Sequence, residues 1–348
     1  MKKWILGFVS LLVSWQGFAQ GAEEIVIGKR YSIKASVLDE DRSIQVYLPA
    51  SYAKESAIKH AYPVIYLLDG ESNFNYLTAF VEKLTRSPYP SMPEAIIVGI
   101  ENTNRTRDLT PTVKQSSKMS AEQDSKIKGE TGGNAAFFDF LENDLYSHIN
   151  QNYRTNGYNI FIGHSFGGIT ALNHMLNGKD IFNAYIVHDP SIWWDEQVML
   201  KRFQASKGKD FNHKFLFLTQ VGESENKGAQ GDHYQGIKAF NHYLQTKPFI
   251  NLNYRYVQYE GENHGTVPLK GNLDGLRYIF DGFSINIKAI ASHPQLIEQS
   301  FAAFNKKMHF EFKPSPDYLN NVISFLEQGQ HLESIAVIKA YQQKLYTE

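Results

Sequence analysis

The chain has 348 residues and no cysteine. It therefore has no disulfide, no thiolate metal site, no cysteine nucleophile and no lipoprotein anchor. It also lacks long runs of one charge, and 35 Lys and Arg against 36 Asp and Glu leave a formal net charge of -1. A nucleic-acid partner is not predicted, because such binding needs clustered basic residues. No His-Glu-x-x-His or comparable ligand motif occurs, so neither a metal nor another cofactor is expected.

The chain does contain enough apolar material for a large folded unit. Hydrophobic residues make up 42% and aromatic residues 14% of the sequence, which argues against global disorder. The length allows one large domain or a domain with an appendage. The sequence shows no repeat at a fixed period, so a solenoid is not expected.

Residues 1–19 have the pattern of a secretory signal peptide. A basic start at Lys2 and Lys3 precedes a short apolar core and a small-residue cleavage site. The core is too short to cross a bilayer comfortably, and a polar segment follows it. We expect cleavage near Gln20, a periplasmic or secreted mature chain and no membrane anchor after cleavage. The alternative is a buried N-terminal helix.

Strand-like and helix-like patterns alternate over residues 20–290. Two alternating segments around the charged "DEDR" predict an antiparallel hairpin. The runs that follow are continuously apolar, as in strands covered on both faces of a parallel sheet. This order predicts an α/β, mostly parallel, doubly wound sheet. The strand-like runs are "PVIYLL" (63–68), "AIIVGI" (95–100), "YNIFIG" (158–163), "AYIVH" (184–188), "KFLFLTQV" (214–221) and "NYRYVQY" (253–259).

Two segments depart from this alternation. Residues 103–134 are polar with almost no periodicity, which predicts a long functional or mobile loop over the site. Residues 291–348 read as a small helical extension whose last two helices form a hairpin broken at Gly329. The apolar faces of these helices must be buried. We favour packing on the main domain, and contact with a partner protein is the alternative.

The stretch "IFIGHSFGGIT" places Ser165 between a predicted strand and a predicted helix. This is the setting of a nucleophile elbow. Gly163 and Gly167 allow the tight turn that exposes the serine. The N-terminus of the following helix favours negative charge developing at the site. Ser165 is therefore the candidate nucleophile.

A serine nucleophile needs a base, and in this architecture the base is a histidine after the last strand. His264 lies in the turn-rich "YEGENHGTVP" and is the candidate general base, with a turn-capping role as the alternative. The acid is expected in "GESEN", where Glu225 is favoured and Glu223 is the alternative acid. Asp232, or a dyad without a classical acid, remains open.

An oxyanion hole needs two backbone N–H donors. One is expected from Phe166, the residue after the nucleophile. The other is expected from Gly70 or Glu71, in the "LLDGESNF" turn after the first parallel strand. We expect Asp69 to brace that turn and to take no part in the chemistry.

Several motifs occur together in one order: "YLLDG", "VGIENTNRTRDLTPT", "GGNAAFFDFLENDL", "GHSFGG", "DPSIWWD" and "ENHGTVP". In this the chain resembles the esterase family of α/β-hydrolases that includes the ferric-enterobactin (siderophore) esterases and is related to esterase D. The resemblance spans roughly residues 30–285. It implies an ester hydrolase with Ser165 as nucleophile and His264 as base, and makes residues 20–290 the α/β-hydrolase domain. The C-terminal helices lie outside the resemblance and look like a tetratricopeptide-type hairpin.

The resemblance also suggests substrate-binding residues near the site. Arg105 and Arg107 are candidates for recognising an anionic substrate or ordering the long loop, and an internal salt bridge is the alternative. Trp193 is a candidate wall of an acyl or aromatic pocket, or a core residue. The chain has His188 and Asp189 where family members usually carry a serine, which places His188 near the mouth of the site.

The sequence thus predicts a secreted serine esterase that acts through an acyl-enzyme. Its expected substrate is a small-molecule carboxylic ester, either a siderophore ester or another acyl ester. A peptidase or thioesterase using the same triad is one alternative, since the fold and triad do not set the leaving group. A non-catalytic protein that binds a partner through its C-terminal helices is the other.

Overall fold

The structure is a computed structural model and describes residues 23–54, 59–223 and 231–346. The predicted signal sequence, residues 1–19, lies outside the described residues. None of the helices within these ranges has the length and apolar character that crossing a membrane requires.

Within the described ranges, eight strands form one sheet in the order β1-β2-β4-β3-β5-β6-β7-β8. β1 pairs with β2 and β2 with β4 in antiparallel register, whereas every pair from β4 to β8 is parallel. The predicted hairpin and the mostly parallel α/β architecture are confirmed. The strands are β1 Lys29–Ala35, β2 Glu40–Tyr47, β3 Tyr62–Leu68, β4 Ile96–Ile100, β5 Thr155–His164, β6 Ala184–His188, β7 Phe215–Val221 and β8 Asn253–Tyr259.

The apolar strands are buried because helices cover both faces of the sheet. Every residue of β3 is buried, as is every residue of β4, β6 and β7. Along β3, Ile65 and Leu67 belong to one hydrophobic cluster, while Tyr66 and Leu68 belong to the cluster on the other face. This alternation follows from the two-residue period of a strand.

The helices connect the strands and extend beyond the sheet. A π-helical segment, Phe140–Leu145, joins α4 to α5, and 3-10 turns occur at Ala50–Ala53 and Ser116–Lys118. The α-helices are α1 Gly70–Leu84, α2 Arg105–Asp108, α3 Ala121–Lys126, α4 Asn134–Asp139, α5 Tyr146–Asn152, α6 Phe166–Asn177, α7 Trp194–Ala205, α8 Asp232–Thr246, α9 Val267–Ile279, α10 Ile287–Ser292, α11 Leu296–Met308, α12 Pro316–Gln328 and α13 Leu332–Tyr346.

The C-terminal helices pack on the main domain. Phe304 and Met308 of α11 and the following Phe312 lie in the same hydrophobic cluster as Tyr158 and Phe280. The Tyr158 and Phe312 ring centroids are 5.0 Å apart. α12 and α13 pack against each other around a separate cluster. Burial on the domain thus accounts for the apolar face of α11, and contact with a partner protein stays a prediction.

The long polar segment, residues 103–134, contains α2 and α3 and is tied to its surroundings. The backbone N–H of Lys114 donates to the Thr131 hydroxyl over 2.7 Å. The indole N–H of Trp194 donates to Thr112 Oγ1 over 2.9 Å. Hydrogen bonds to other parts of the chain hold these short elements in place. Such bonds need no hydrophobic periodicity, so the sequence of this segment shows none.

Candidate active site

Ser165 occupies a strained turn between the end of β5 and the start of α6. Its φ of 58° and ψ of -113° are uncommon for a residue other than glycine. A Cβ at Gly163 would collide with the backbone carbonyl of Gly167, so glycine is required for this close approach. The turn presents Ser165 at the carboxyl ends of the parallel strands, where sheets of this kind carry their sites.

The loop after β6 holds Ser165 in place. The Ser165 N–H donates to the His188 carbonyl over 3.0 Å, and the Ser191 N–H donates to the Ser165 carbonyl over 3.1 Å. The two hydroxyl groups, Ser165 Oγ and Ser191 Oγ, lie 3.1 Å apart. Ser191 is buried, so the Ser165 hydroxyl has a fixed polar neighbour. The sequence reasoning did not single out Ser191.

His264 lies in the loop after β8, beside the elbow. Its Nδ1 is 2.6 Å from Asp189 Oδ2, and its ring centroid is 4.4 Å from that of His164, the residue before Ser165. An imidazole that donates from Nδ1 to a carboxylate keeps Nε2 unprotonated while the ring is neutral. His264 therefore has the tautomer that a general base needs.

Asp189 is the carboxylate that contacts His264. It follows β6 directly, with a φ of 37°, and is fully buried. Its Oδ1 accepts from the Val221 N–H over 3.1 Å, and its own N–H donates to the Thr219 carbonyl over 3.0 Å. Burial acts to raise the pKa of Asp189, but hydrogen bonds from His233 and His264 lower that pKa well below its usual range. Asp189 is thus a fixed negative charge behind the imidazole.

The glutamates favoured from the sequence stand elsewhere or are not described. Glu225 lies outside the described residues. The Glu223 carboxylate accepts from the Tyr234 hydroxyl over 2.8 Å and lies 3.7 Å from Lys238 Nζ, and its side chain is 54% exposed. In the structure the hydrogen-bonded carboxylate of His264 is therefore that of Asp189. The corresponding sequence signal is the aspartate of "DPSIWW", which follows a predicted strand directly but lies before the loop after β7 in which the acid was expected.

A second histidine shares the same carboxylate oxygen. His233, at the start of α8, has its Nε2 2.8 Å from Asp189 Oδ2. Its ring is edge-on to that of His264 with centroids 5.2 Å apart. No sequence pattern joins residues 189, 233 and 264, so only the fold reveals this cluster.

His188, in contrast, is a structural residue of the strand. The resemblance placed it near the mouth of the site, but its side chain is buried and its ring nitrogens lie 3.2 Å from Thr219 Oγ1 and 2.8 Å from Asn272 Oδ1. That expectation is wrong for the side chain, because His188 points to the face of the sheet that α9 covers, where it packs against Gly271 and Asn272. Burial lowers the pKa of His188 to about 4.

The N-terminus of α6, next to Ser165, lies close to the residue before α1, since a Cβ at Gly167 would come within 3.6 Å of Asp69 Oδ2. α6 begins at Phe166 and α1 begins at Gly70, and the first N–H groups of a helix have no intrahelical acceptor. A Cβ at Gly70 would come within 2.8 Å of the Gly99 and Ile100 backbone, so α1 starts against β4. Phe166, Gly70 and Glu71 thus remain the candidate oxyanion donors.

Asp69 forms the turn before α1. It has a φ of 55°, and its carboxylate accepts from Arg105 Nε over 2.7 Å and Nη2 over 3.0 Å. The Asn102 side-chain amide adds a hydrogen bond of 2.7 Å to Asp69 and another of 2.7 Å to Glu71. This network holds the turn rigid, as a bracing role for Asp69 requires.

The two candidate arginines both have carboxylate partners. Arg105 pairs with Asp69 while 35% of its side chain stays exposed, and its guanidinium lies 5.8 Å from the Phe166 ring centroid. Arg107 pairs with Asp108 over 2.7 Å and with Glu40 over 2.8 Å. Arg105 therefore lies at the elbow, whereas Arg107 anchors α2 to the antiparallel hairpin.

The tryptophan pair divides into a pocket candidate and a core residue. Trp194 is fully buried. Trp193 is half-buried, and its ring centroid lies 6.1 Å from that of Phe166. Trp193 is thus the indole beside the candidate oxyanion donor.

A serine on a strained strand-to-helix turn, with an imidazole and a buried carboxylate beside it, defines a serine hydrolase of the α/β-hydrolase class. The family model described as "Putative esterase" matches residues 35–260. The chain belongs to this esterase family and is a carboxylic ester hydrolase.

Individual relatives support the same family. The chain is 32% identical over 219 residues to the ferri-bacillibactin esterase BesA of Bacillus subtilis, covering 59% of this chain and 74% of the relative. It is 25% identical over 278 residues to a siderophore triacetylfusarinine C esterase of Aspergillus fumigatus, covering 70% of this chain and 91% of the relative.

A solved structure extends the similarity beyond the catalytic domain. An IroE-like serine hydrolase from Shewanella oneidensis matches with a TM-score of 0.81 and 31% identity, over 91% of this chain and 99% of the other. A match over 91% of the chain cannot be confined to residues 20–290. It therefore includes part of the C-terminal helices, which the sequence resemblance had left outside.

Proposed function

We propose that this protein hydrolyses ester bonds of ferric siderophores through a Ser165–His264–Asp189 triad. The observation that carries the proposal is the 2.6 Å contact between His264 Nδ1 and Asp189 Oδ2 beside the strained Ser165 turn. The names of the relatives, which are esterases of ferri-bacillibactin and of triacetylfusarinine C, support a siderophore as the ester.

The first half-reaction forms an acyl-enzyme. The Ser165 hydroxyl rotates away from Ser191, loses its proton to His264 Nε2 and attacks the ester carbonyl carbon. Asp189 holds the imidazole by its Nδ1–H and stabilises the imidazolium that forms. The N–H groups of Phe166 and of Gly70, or Glu71, stabilise the oxyanion.

The second half-reaction releases the acid. His264 gives its proton to the departing alkoxide, which leaves as the alcohol. Water then takes the place of the alcohol, loses a proton to His264 and attacks the acyl carbon. The tetrahedral intermediate collapses, the proton returns to Ser165 and the carboxylic acid product leaves.

Arg105 supports an anionic substrate in this mechanism. Its guanidinium lies at the elbow, is partly exposed and is held by Asp69. It therefore offers a positive charge that is already in position before the substrate binds. Ferric complexes of catecholate siderophores are anionic, and an arginine near the nucleophile suits them. Trp193 would provide the adjacent aromatic wall.

The place of action follows from residues 1–19. A basic start, an apolar core and a small-residue cleavage site are typical of an exported protein. Export would place the esterase where ferric siderophores first arrive, in the periplasm or outside the cell.

The purified protein should be assayed with p-nitrophenyl esters of graded chain length and with a ferric catecholate trilactone, with Ser165→Ala as the control. The proposal expects turnover of the trilactone with release of linear products seen by mass spectrometry. It expects Ser165→Ala to give none. Cleavage of the p-nitrophenyl esters without cleavage of the trilactone would contradict the substrate class and leave the triad standing.

A further inference from the structure

The cluster behind the proposed triad contains one more histidine than acyl transfer requires. His264 Nδ1 and His233 Nε2 lie 2.6 Å and 2.8 Å from the same oxygen of Asp189. These three donor atoms all lie within 4.8 Å of one another. A triad needs a single imidazole on its carboxylate, so the position of His233 calls for a separate explanation.

The three donors match the preference of a borderline divalent cation. Two imidazole nitrogens and one carboxylate oxygen are ligands for Zn²⁺ and similar transition metals, with a remaining position for water. Metal–ligand bonds of about 2.0–2.1 Å in a tetrahedral site place the donor atoms about 3.3 Å apart. The His264 nitrogen must therefore move about 0.7 Å, and the His233 nitrogen about 0.5 Å, away from Asp189 Oδ2.

The surroundings of the cluster allow that movement. The His264 side chain is 48% exposed and lies on a loop, and the His233 side chain is 24% exposed. Asp189 is fixed by the N–H of Val221, which binds its other oxygen. The hydrogen bond from Val221 thus orients the carboxylate. The two imidazoles can adjust their positions to a metal ion.

We infer that Asp189, His233 and His264 bind a divalent transition-metal ion that reversibly switches off the esterase, an inference that rests on the proposed triad for its effect on activity. A neutral imidazole bound to the metal through Nδ1 carries its single proton on Nε2. His264 then has no lone pair to accept the Ser165 proton. The metal also occupies the Asp189 oxygen that would orient the base. Metal binding and acyl transfer thus exclude each other, and no bond of the substrate is made or broken in the switch.

Metal binding can be measured without catalysis. Co²⁺ should be titrated into Ser165→Ala, with visible absorption as the readout and Zn²⁺ added to displace it. One equivalent of Co²⁺ per chain should give a saturable absorption that Zn²⁺ removes. His233→Gln introduced into Ser165→Ala should weaken the site at least about tenfold, because one of three ligands is lost. His148→Gln is the matched control, since His148 lies on α5 and hydrogen-bonds Asn152.

Inhibition tests the effect on activity. Micromolar Zn²⁺ should suppress p-nitrophenyl ester hydrolysis by the wild-type protein, and EDTA should restore the activity. The half-inhibiting Zn²⁺ concentration, measured against the uninhibited rate of each variant, should rise at least about tenfold in His233→Gln and stay unchanged in His148→Gln. Equal inhibition of His233→Gln, or a Co²⁺ titration without saturable absorption, overturns the inference. If Ser165→Ala remains active, the triad fails, but the Co²⁺ titration still decides whether the metal site exists.

Discussion

Asp69 and Asp189 occupy equivalent places on either side of the nucleophile and meet different partners. β3 and β6 flank β5 in the sheet, and each is followed directly by one of these aspartates. Both adopt a left-handed backbone, with φ values of 55° and 37°. Asp69 pairs with a guanidinium, whereas Asp189 pairs with two imidazoles.

The difference shows that the partner decides what a carboxylate does at such a position. A guanidinium keeps its charge throughout the accessible pH range, so Asp69 forms a fixed ion pair that stiffens the turn before α1. An imidazole gains and loses a proton near neutral pH, so Asp189 can favour proton transfer through His264. The same residue type and backbone conformation thus provide bracing on one side and proposed chemistry on the other.

Removing the proposed nucleophile should have the largest effect, because both aspartates are proposed to act on the reaction at Ser165. Ser165→Ala should lower kcat/KM by about 10⁴-fold or more while the protein stays folded. Ser191→Ala is the matched control, since it removes the neighbouring hydroxyl only. The kcat/KM of Ser191→Ala should stay within about tenfold of the wild-type value. Comparable losses in the two variants would mean that Ser165 is not the nucleophile.

Asp189→Asn should have the second largest effect on activity. An amide cannot hold the imidazole in the right tautomer or offset its positive charge, so kcat should fall about 10³–10⁴-fold with little change in KM. Glu223→Gln should change kcat less than about threefold, because its carboxylate contacts Tyr234 and Lys238. Steady-state kinetics with a p-nitrophenyl ester measures both. A larger loss in Glu223→Gln would return the acid to the loop after β7.

Asp69→Asn should have a smaller effect and of a different kind. It breaks a partly exposed, two-bond pair with Arg105, which should cost about 1–2 kcal/mol in the free energy of unfolding. The loosened turn would misplace the oxyanion donor of α1 and lower kcat about 10–100-fold. Urea denaturation and kinetics on one preparation separate the two effects. A stable variant with a loss as large as that of Asp189→Asn would contradict the bracing role.

For His188 the expected effect is on stability, since this residue neighbours Asp189 in the chain but hydrogen-bonds Thr219 and Asn272. Burial lowers its pKa to about 4 from 6.5. As the pH falls below 6.5, the unfolded chain takes up a proton that the folded chain excludes until about pH 4, so stability is present above 6.5 and is lost towards 4. Between pH 7 and 5 this amounts to about 2 kcal/mol.

His188→Gln should therefore flatten the pH dependence of the free energy of unfolding over that range. Urea melts at pH 7 and 5 on the variant and the wild type provide the measurement. His148→Gln serves as the control, since His148 is half-buried whereas His188 is buried. An identical slope in wild type and His188→Gln would show that His188 titrates normally in the folded protein.

The sequence predicted the sheet and the tight turn at Ser165 well because both depend on local patterns. The continuously apolar runs became β3 to β7, and "GHSFGG" formed the turn that its glycines permit. The contact between His264 and Asp189 could not be predicted in this way, because which carboxylate lies near His264 depends on which strand ends are neighbours. The sequence favoured the loop after β7, whereas the structure places Asp189, at the end of β6, against His264.

His233 and the C-terminal helices show the same limit. His233 lies far from Asp189 in the chain and has no motif around it, so only the folded loops bring the two together. The amphipathic face of α11 is evident in the sequence, but the surface that it covers depends on the tertiary placement of Tyr158 and Phe280. Local periodicity predicts elements, and long-range contacts decide which residues meet.

The central claim is that Asp189 acts through His264, and a double-mutant cycle on single-turnover acylation tests it most directly. The rate constant would be measured with an activated p-nitrophenyl ester for the wild type, Asp189→Asn, His264→Ala and the double variant. If Asp189 works only by orienting and charging His264, Asp189→Asn should cost about 10³-fold or more in the wild type and less than about threefold in His264→Ala. An equal cost in both backgrounds would contradict the account.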